Sequence, residues 1–271
     1  MKIEVQKRVE KHLEDFKKEY PKTEFVGIFL QGSQNYNLDY EDSDVDTKMI
    51  LLPSFEDFIR VNKPMSHTYI RENNEHIDLK DIRLIVDIFK KQNVNFVEIL
   101  FSDYMILNDR FKDAFQPMLD NRERIARFNP YGALNCMVGM SLEKYKALEH
   151  PYPSILPKIE KFGYDPKQLH HIFRMRDFIQ RYVNGEPYKD CLIPNDTEFM
   201  IAVKKGLYSL KEARVLADVL TSEISEIRHK YQEKYPNVID EEVGYIMADT
   251  VLNIIRQYFT EELIQGGRLN G

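Results

Sequence analysis

Two cysteines are all that the 271 residues contain. Cys136 and Cys191 can build neither a disulfide framework nor a zinc site by themselves, and both read as reduced core thiols. No apolar run approaches the roughly 18 residues needed to cross a bilayer, so no membrane partner is expected. The opening segment, MKIEVQKRVEKHLEDFKK, has no apolar stretch of the kind a signal peptide needs, which points to a cytoplasmic protein. Basic charge is not in excess either: 38 Lys and Arg stand against 44 Asp and Glu, a net charge of −6. That excludes a global basic field for coating duplex nucleic acid and leaves room only for a local basic groove. What is present, 43% apolar and 30% charged residues, is enough for a sizeable core in one large or two modest domains.

Val5, Val9, Leu13 and Phe16 form one apolar stripe, which predicts an amphipathic helix over 2–19 that Pro21 stops. FVGIFL (25–30) reads as a buried strand, and VDTKMILL (45–52) as a second. Ser54 opens a short helix. HTYIR (67–71) and EHIDLKDI (75–82), separated by Glu72, Asn73 and Asn74, suit a hairpin. Helical spacing returns at Ile82, Ile85, Val86 and Phe89. Beyond residue 110 strand signals fade, and helices are expected over 131–149, 167–183, 197–205, 209–233 and 240–264, with Ser209 and Glu212 as a capping box. PYPSILP (151–157), with its three prolines, marks a linker or ordered loop. The expected fold is an α/β mixed sheet over residues 1–112 followed by an all-helical domain over 113–271.

The chemistry concentrates in FVGIFLQGSQNYNLDYEDSDVDTKMILL. A strand ends in Gly32-Ser33, ten residues intervene, and Asp44-Val45-Asp46 opens the next strand. Alternation in a strand puts Asp44 and Asp46 on one face, where two carboxylates repel unless a cation lies between them. Hard divalent ions prefer such oxygen ligands and share them with substrate phosphates. Glycine lets the backbone approach a phosphate closely, and the Ser33 hydroxyl can bind its oxygens. A third carboxylate is wanted on a neighbouring strand, and Asp78 in His76-Ile77-Asp78-Leu79 is placed to supply it. A lone Asp-x-Asp is usually a solvated strand end; the combination with Gly-Ser, the spacing and Asp78 is what carries the reading.

At these residues the sequence resembles the nucleotidyltransferase superfamily typified by DNA polymerase beta, with G-[GS], a gap, D-x-[DE] and a later carboxylate. The run GSQNYNLDYEDSDVDTKMI is similar, more narrowly, to the G-S-x-x-Y-G-L-x-x-x-x-S-D-x-D of predicted nucleotidyltransferases of the RNA-repair-pathway, polymerase-beta-like family. That family's Asn-rich turn leading to a glutamate has a counterpart in Asn93, Asn95 and Glu98, and its H-x-x-R helix in His171 and Arg174. Asn37 stands where the family has glycine, and Asn93-Val94 where it has Asn-Pro. The resemblance implies transfer of a nucleoside monophosphate from an NTP, ATP first among them, to an acceptor hydroxyl on an RNA end such as that of tRNA, or on another polynucleotide. It implies two Mg²⁺ ions, or Mn²⁺, held by Asp44, Asp46 and Asp78, with Asp78 activating the acceptor and Gly32 and Ser33 receiving the triphosphate. The alternatives are nucleotidylation of a protein or small molecule, as by an AMPylator or antitoxin, and a non-catalytic nucleotide-binding regulator.

The helical half would supply further nucleotide contacts. His171 and Arg174 share a helix face at i, i+3, and Lys144, with Lys146 beside it, is a candidate to reach a triphosphate across the cleft. Each of these also fits an ordinary polar helix face. Tyr36, in the polar loop, either stacks on a base or packs beneath the loop. Glu98 is read as a supporting or surface residue.

Overall fold

The computed structural model describes residues 2–40 and 43–268. Helix α1 (Ile3–Glu19) buries Val5, Val9 and Phe16 as the spacing predicts, but the fourth buried residue is His12, with Leu13 only half-buried. Strand β1 (Phe25–Gln31) pairs antiparallel with β2 (Asp46–Leu51). The short helix α2 (Phe55–Ile59) is capped by Ser54, whose hydroxyl accepts the Asp57 N–H. The predicted hairpin forms from β3 (Ser66–Ile70) and β4 (His76–Asp81), and β4 lies parallel to β2. A strand that the sequence did not announce, β5 (Met105–Leu107), pairs antiparallel with β1 and completes the order β3-β4-β2-β1-β5.

Between β4 and β5 lie α3 (Ile85–Lys90) and α4 (Val94–Val97), each continuous with a short 3₁₀ turn. Asn93 caps α4 by accepting the Asn95 N–H, so the turn forms without the family's proline. Helices then follow without interruption by strand: α5 (Lys112–Asp120), α6 (Arg122–Ala126), α7 (Pro130–Ala147), α8 (Leu156–Phe162) and α9 (Pro166–Val183). After them come α10 (Tyr188–Leu192), α11 (Thr197–Lys204), α12 (Leu210–Lys234) and α13 (Glu241–Arg268). Ser209 and Glu212 make the expected reciprocal capping box of α12. The PYPSILP segment is more ordered than a linker. Pro153 opens a 3₁₀ turn and Pro157 sits in the first turn of α8, where a missing N–H removes no helical hydrogen bond.

The sheet separates two apolar layers. Helix α1 covers one face, packing Val9 and Phe16 against Ile28, Leu30, Met49, Ile77 and Leu79. The opposite face, with Val26, Phe29 and Ile50, joins a single core that runs through α3–α13 to Tyr258. A register irregularity between Phe25 and Gly27 turns Val26 onto the same face as Phe29. Asp46 and Lys48 point to this second face, because Thr47, Met49 and Leu51 point to the first. The carboxylates therefore face the helical half of the chain.

Candidate active site

At the end of β1 the chain turns through Gly32, whose φ of 88° favours glycine, into the 3₁₀ turn Ser33–Tyr36. The turn is closed by Asn37 in the left-handed region, with φ 57° and ψ 32°, so asparagine does there what the family's glycine would do. Leu38 N–H donates to the Ser33 carbonyl at 3.1 Å. Two residues of the motif, Glu41 and Asp42, lie outside the described residues. On the far side of the loop, Ser43 leads into Asp44 and Asp46.

A buried ionic hub holds that entry. Glu75, 1% exposed, accepts the Val45 N–H at 3.2 Å and is paired with Arg8 and Arg71. His12 of α1 lies 2.9 Å from both Thr47 Oγ1 and Glu75 Oε2. The carboxylate fixes the tautomer: Nε2–H donates to Glu75, and Nδ1 accepts from the Thr47 hydroxyl. Burial, reinforced by Arg71 and Arg8, lowers the His12 pKa to about 3, so the ring is neutral. Asp46 Oδ1 accepts the His76 N–H at 2.8 Å, which ties the aspartate pair to β4.

Gly32, Ser33, Tyr36, Asp44 and Asp46 line one cavity of about 420 Å³. Its far wall is cationic. Helix α9 contributes Lys167, His170, His171 and Arg174 at helical spacing; α8 contributes Lys158, and Lys204 comes from the end of α11. Arg174 is 5% exposed and its guanidinium lies 3.7 Å over the Tyr36 ring, so Tyr36 packs beneath the arginine. Arg174 Nε and Nη2 and Glu98 Oε2 have no hydrogen-bond partner among the described residues, though Nη2 and Oε2 form a loose ion pair at 3.9 Å. Burial lowers the pKa of Lys204 to about 8, with Lys167 adding to the effect, and that of His170 to about 4. His171 is lowered well below its ordinary range, again chiefly by burial. The imidazoles are therefore neutral hydrogen-bonding groups among cations.

Lys144 departs from expectation. It pairs with Glu143 at 2.8 Å and is not among the residues lining the cavity. The lysines that do line it, Lys158, Lys167 and Lys204, were missed because an isolated lysine on a helix normally reads as solvated. Glu98 was undervalued for the same kind of reason: it is 2% exposed, its Oε1 accepts the Gly32 N–H at 3.4 Å, and burial pushes its pKa up to about 8.

Asp78 lies on the same sheet face but opens onto a second cavity, of about 530 Å³, lined also by Ser66, Lys80, Lys91 and Asn93. Lys48 and Asn95 line both cavities. Lys48 Nζ is 3.0 Å from Asp78 Oδ2, and Lys80 Nζ is 2.9 Å from Oδ1. Burial draws the Lys48 pKa down against the opposing pull of Asp78. Among the described residues no three His, Cys, Asp or Glu side chains are gathered closely enough to hold one metal ion. Asp-x-Asp-x-Lys alternation was the signal in the sequence for Lys48.

Two outcomes are expected. Arg174→Lys should weaken binding of a non-hydrolysable NTP analogue about 10-fold or more by calorimetry, with the fold retained, because lysine cannot reproduce the planar fork. Glu98→Gln should become more stable relative to the parent protein as pH rises. A neutral Glu98 contributes stability that is complete below about 4.5 and is lost as pH climbs through about 8. The expected slope is on the order of 1.4 kcal/mol per pH unit in paired thermal melts.

Comparison with known proteins follows this geometry. No curated protein matches the chain. Among solved structures, a nucleotidyltransferase-like protein from Exiguobacterium sibiricum is similar over 94% of this chain and 91% of its own. The identity is 9% and the TM-score 0.28, too loose a likeness to argue from. Residues 5–136, which include Gly32, Ser33 and all three aspartates, match RlaP, the RNA repair pathway DNA polymerase beta family. That segment is just under half of the chain, and over it the chain is similar to the RNA repair pathway DNA polymerase beta family, a likeness that supports a nucleotidyltransferase.

Proposed function

We propose that the protein transfers a nucleoside monophosphate from an NTP, ATP in the first instance, to a hydroxyl at an RNA end, releasing pyrophosphate. The observation that carries this reading is the shared cavity: the Gly32-Ser33 turn and the Asp44–Asp46 pair face Arg174, Lys204 and Lys167 across it. Residues 1–112 carry the chemistry and residues 113–271 supply the cationic wall. The free thiols of Cys136 and Cys191 suit a cytoplasmic setting.

Asp44 and Asp46 offer hard oxygen donors on one face beside a phosphate-sized cavity, a set that fits Mg²⁺ or Mn²⁺. Such an ion, when bound, supplies Lewis-acid stabilisation of charge on the transferring phosphoryl group. The protein's own groups do the rest. The Gly32 turn and Ser33 hydroxyl seat the triphosphate, while Arg174 and Lys204 neutralise it. The acceptor oxygen attacks the α-phosphorus, the bond to the bridging oxygen of the β-phosphate breaks, and the acceptor's proton passes to bulk water, because both Asp78 oxygens are already paired with Lys48 and Lys80.

The test is incubation of the purified protein with Mg²⁺ and each α-labelled NTP in turn, together with total RNA, a protein lysate or aminoglycosides. Label from ATP in the RNA pool is expected. Label confined to protein or to the small molecules would overturn the RNA acceptor, and no transfer into any pool would overturn the reaction itself.

A further inference from the structure

The fit of Asp44 and Asp46 to a divalent ion does not extend to Asp78. Both of its carboxylate oxygens already face ammonium groups, Oδ2 at 3.0 Å from Lys48 and Oδ1 at 2.9 Å from Lys80. A Mg²⁺ ion would have to approach one of these oxygens to about 2.1 Å, and would then crowd a charge of its own sign. Lys48 is poorly placed to yield. Its side chain is 9% exposed, and its ammonium lies 5.3 Å over the Phe96 ring where both cavities meet Lys48. The alternation of β2 puts it on the same face as Asp46, and the parallel register of β2 and β4 sets it opposite Asp78.

We propose that the Lys48 ammonium replaces the second divalent cation, so that the site takes one metal ion, at Asp44 and Asp46, and uses a built-in cation at Asp78. Asp78 then anchors Lys48, and the charge beside the attacking oxygen is supplied by the chain. The inference rests on the nucleotidyltransfer reading above.

Equilibrium dialysis against Mn²⁺, with α,β-methylene-ATP at equal concentration on both sides, counts the ions held by the protein–nucleotide complex. One Mn²⁺ per chain is expected for the parent protein and for Asp78→Asn. Lys48→Met, shown to be folded by circular dichroism, should bind a second as Asp78 Oδ2 becomes free. Two ions on the parent protein, with one lost in Asp78→Asn, would overturn the proposal and leave the nucleotidyltransfer reading standing. So would a folded Lys48→Met that still binds one. No Mn²⁺ and no analogue bound would overturn both.

Discussion

Asp46→Asn is expected to lower nucleotide transfer by about 10³-fold or more while the protein stays folded. Asp46 is the member of the pair with a second duty, since its Oδ1 accepts the His76 N–H at 2.8 Å and fastens β2 to β4. The asparagine oxygen can keep that bond. What is lost is the negative charge that, with Asp44, makes the face of β2 attractive to a divalent ion. Melting temperature should therefore change little, Mn²⁺ binding should fall sharply, and labelled transfer should approach background. Near-normal transfer by a variant of unchanged stability would remove Asp46 from the machinery.

The second large effect is expected away from the cavity. Glu75→Ala should destabilise the fold by about 3–5 kcal/mol, the usual consequence of deleting one partner from a buried ionic cluster. Arg8 and Arg71 would lose their common counter-charge, His12 its acceptor, and the Val45 N–H its side-chain acceptor. Against a typical total of about 5–15 kcal/mol this is a large fraction, and urea unfolding should show it as a lower midpoint. Glu75→Gln, which keeps an acceptor oxygen, should lose less. Because Val45 stands between the two aspartates, transfer should fall in the alanine variant even under conditions where it remains folded. Full activity in a folded Glu75→Ala would show that the hub supports the fold without aiming the aspartates.

The elements that were legible in the sequence are those whose evidence is local. FVGIFL and VDTKMILL carry enough apolar density to declare strands, Ser209 and Glu212 declare a helix start, and Asn37 declares a left-handed turn residue. The Gly-Ser turn and the Asp pair were legible because their chemistry is tied to short, fixed spacings. What stayed hidden depends on contacts between distant residues. β5 is three half-buried residues whose strand character comes from pairing with β1 some eighty positions earlier. Glu75 stands first in a predicted strand, beside a polar turn, and nothing local announces that Arg8 and His12 of α1, with Arg71 and the Val45 N–H, gather around it. Lys158, Lys167 and Lys204 come from three helices that converge on the cavity, so no single segment could distinguish them from Lys144. PYPSILP misled because proline density was read as helix breaking when two of its prolines stand at starts.

The continuous core that joins Val26 and Phe29 of the sheet to Tyr258 of the last helix has a consequence for how substrates enter. Two bodies that hinge about a cleft need a seam across which apolar side chains can part and return. Here the sheet and the cationic wall share one close-packed interior, so a rigid-body swing would tear contacts rather than slide along them. The positions of Asp46 and Arg174 are thus tied to one interior, not to two separately packed ones. Adjustment is left to the long side chains at the rim, chiefly Lys158 and Lys167, whose rotamers exchange far faster than domains move.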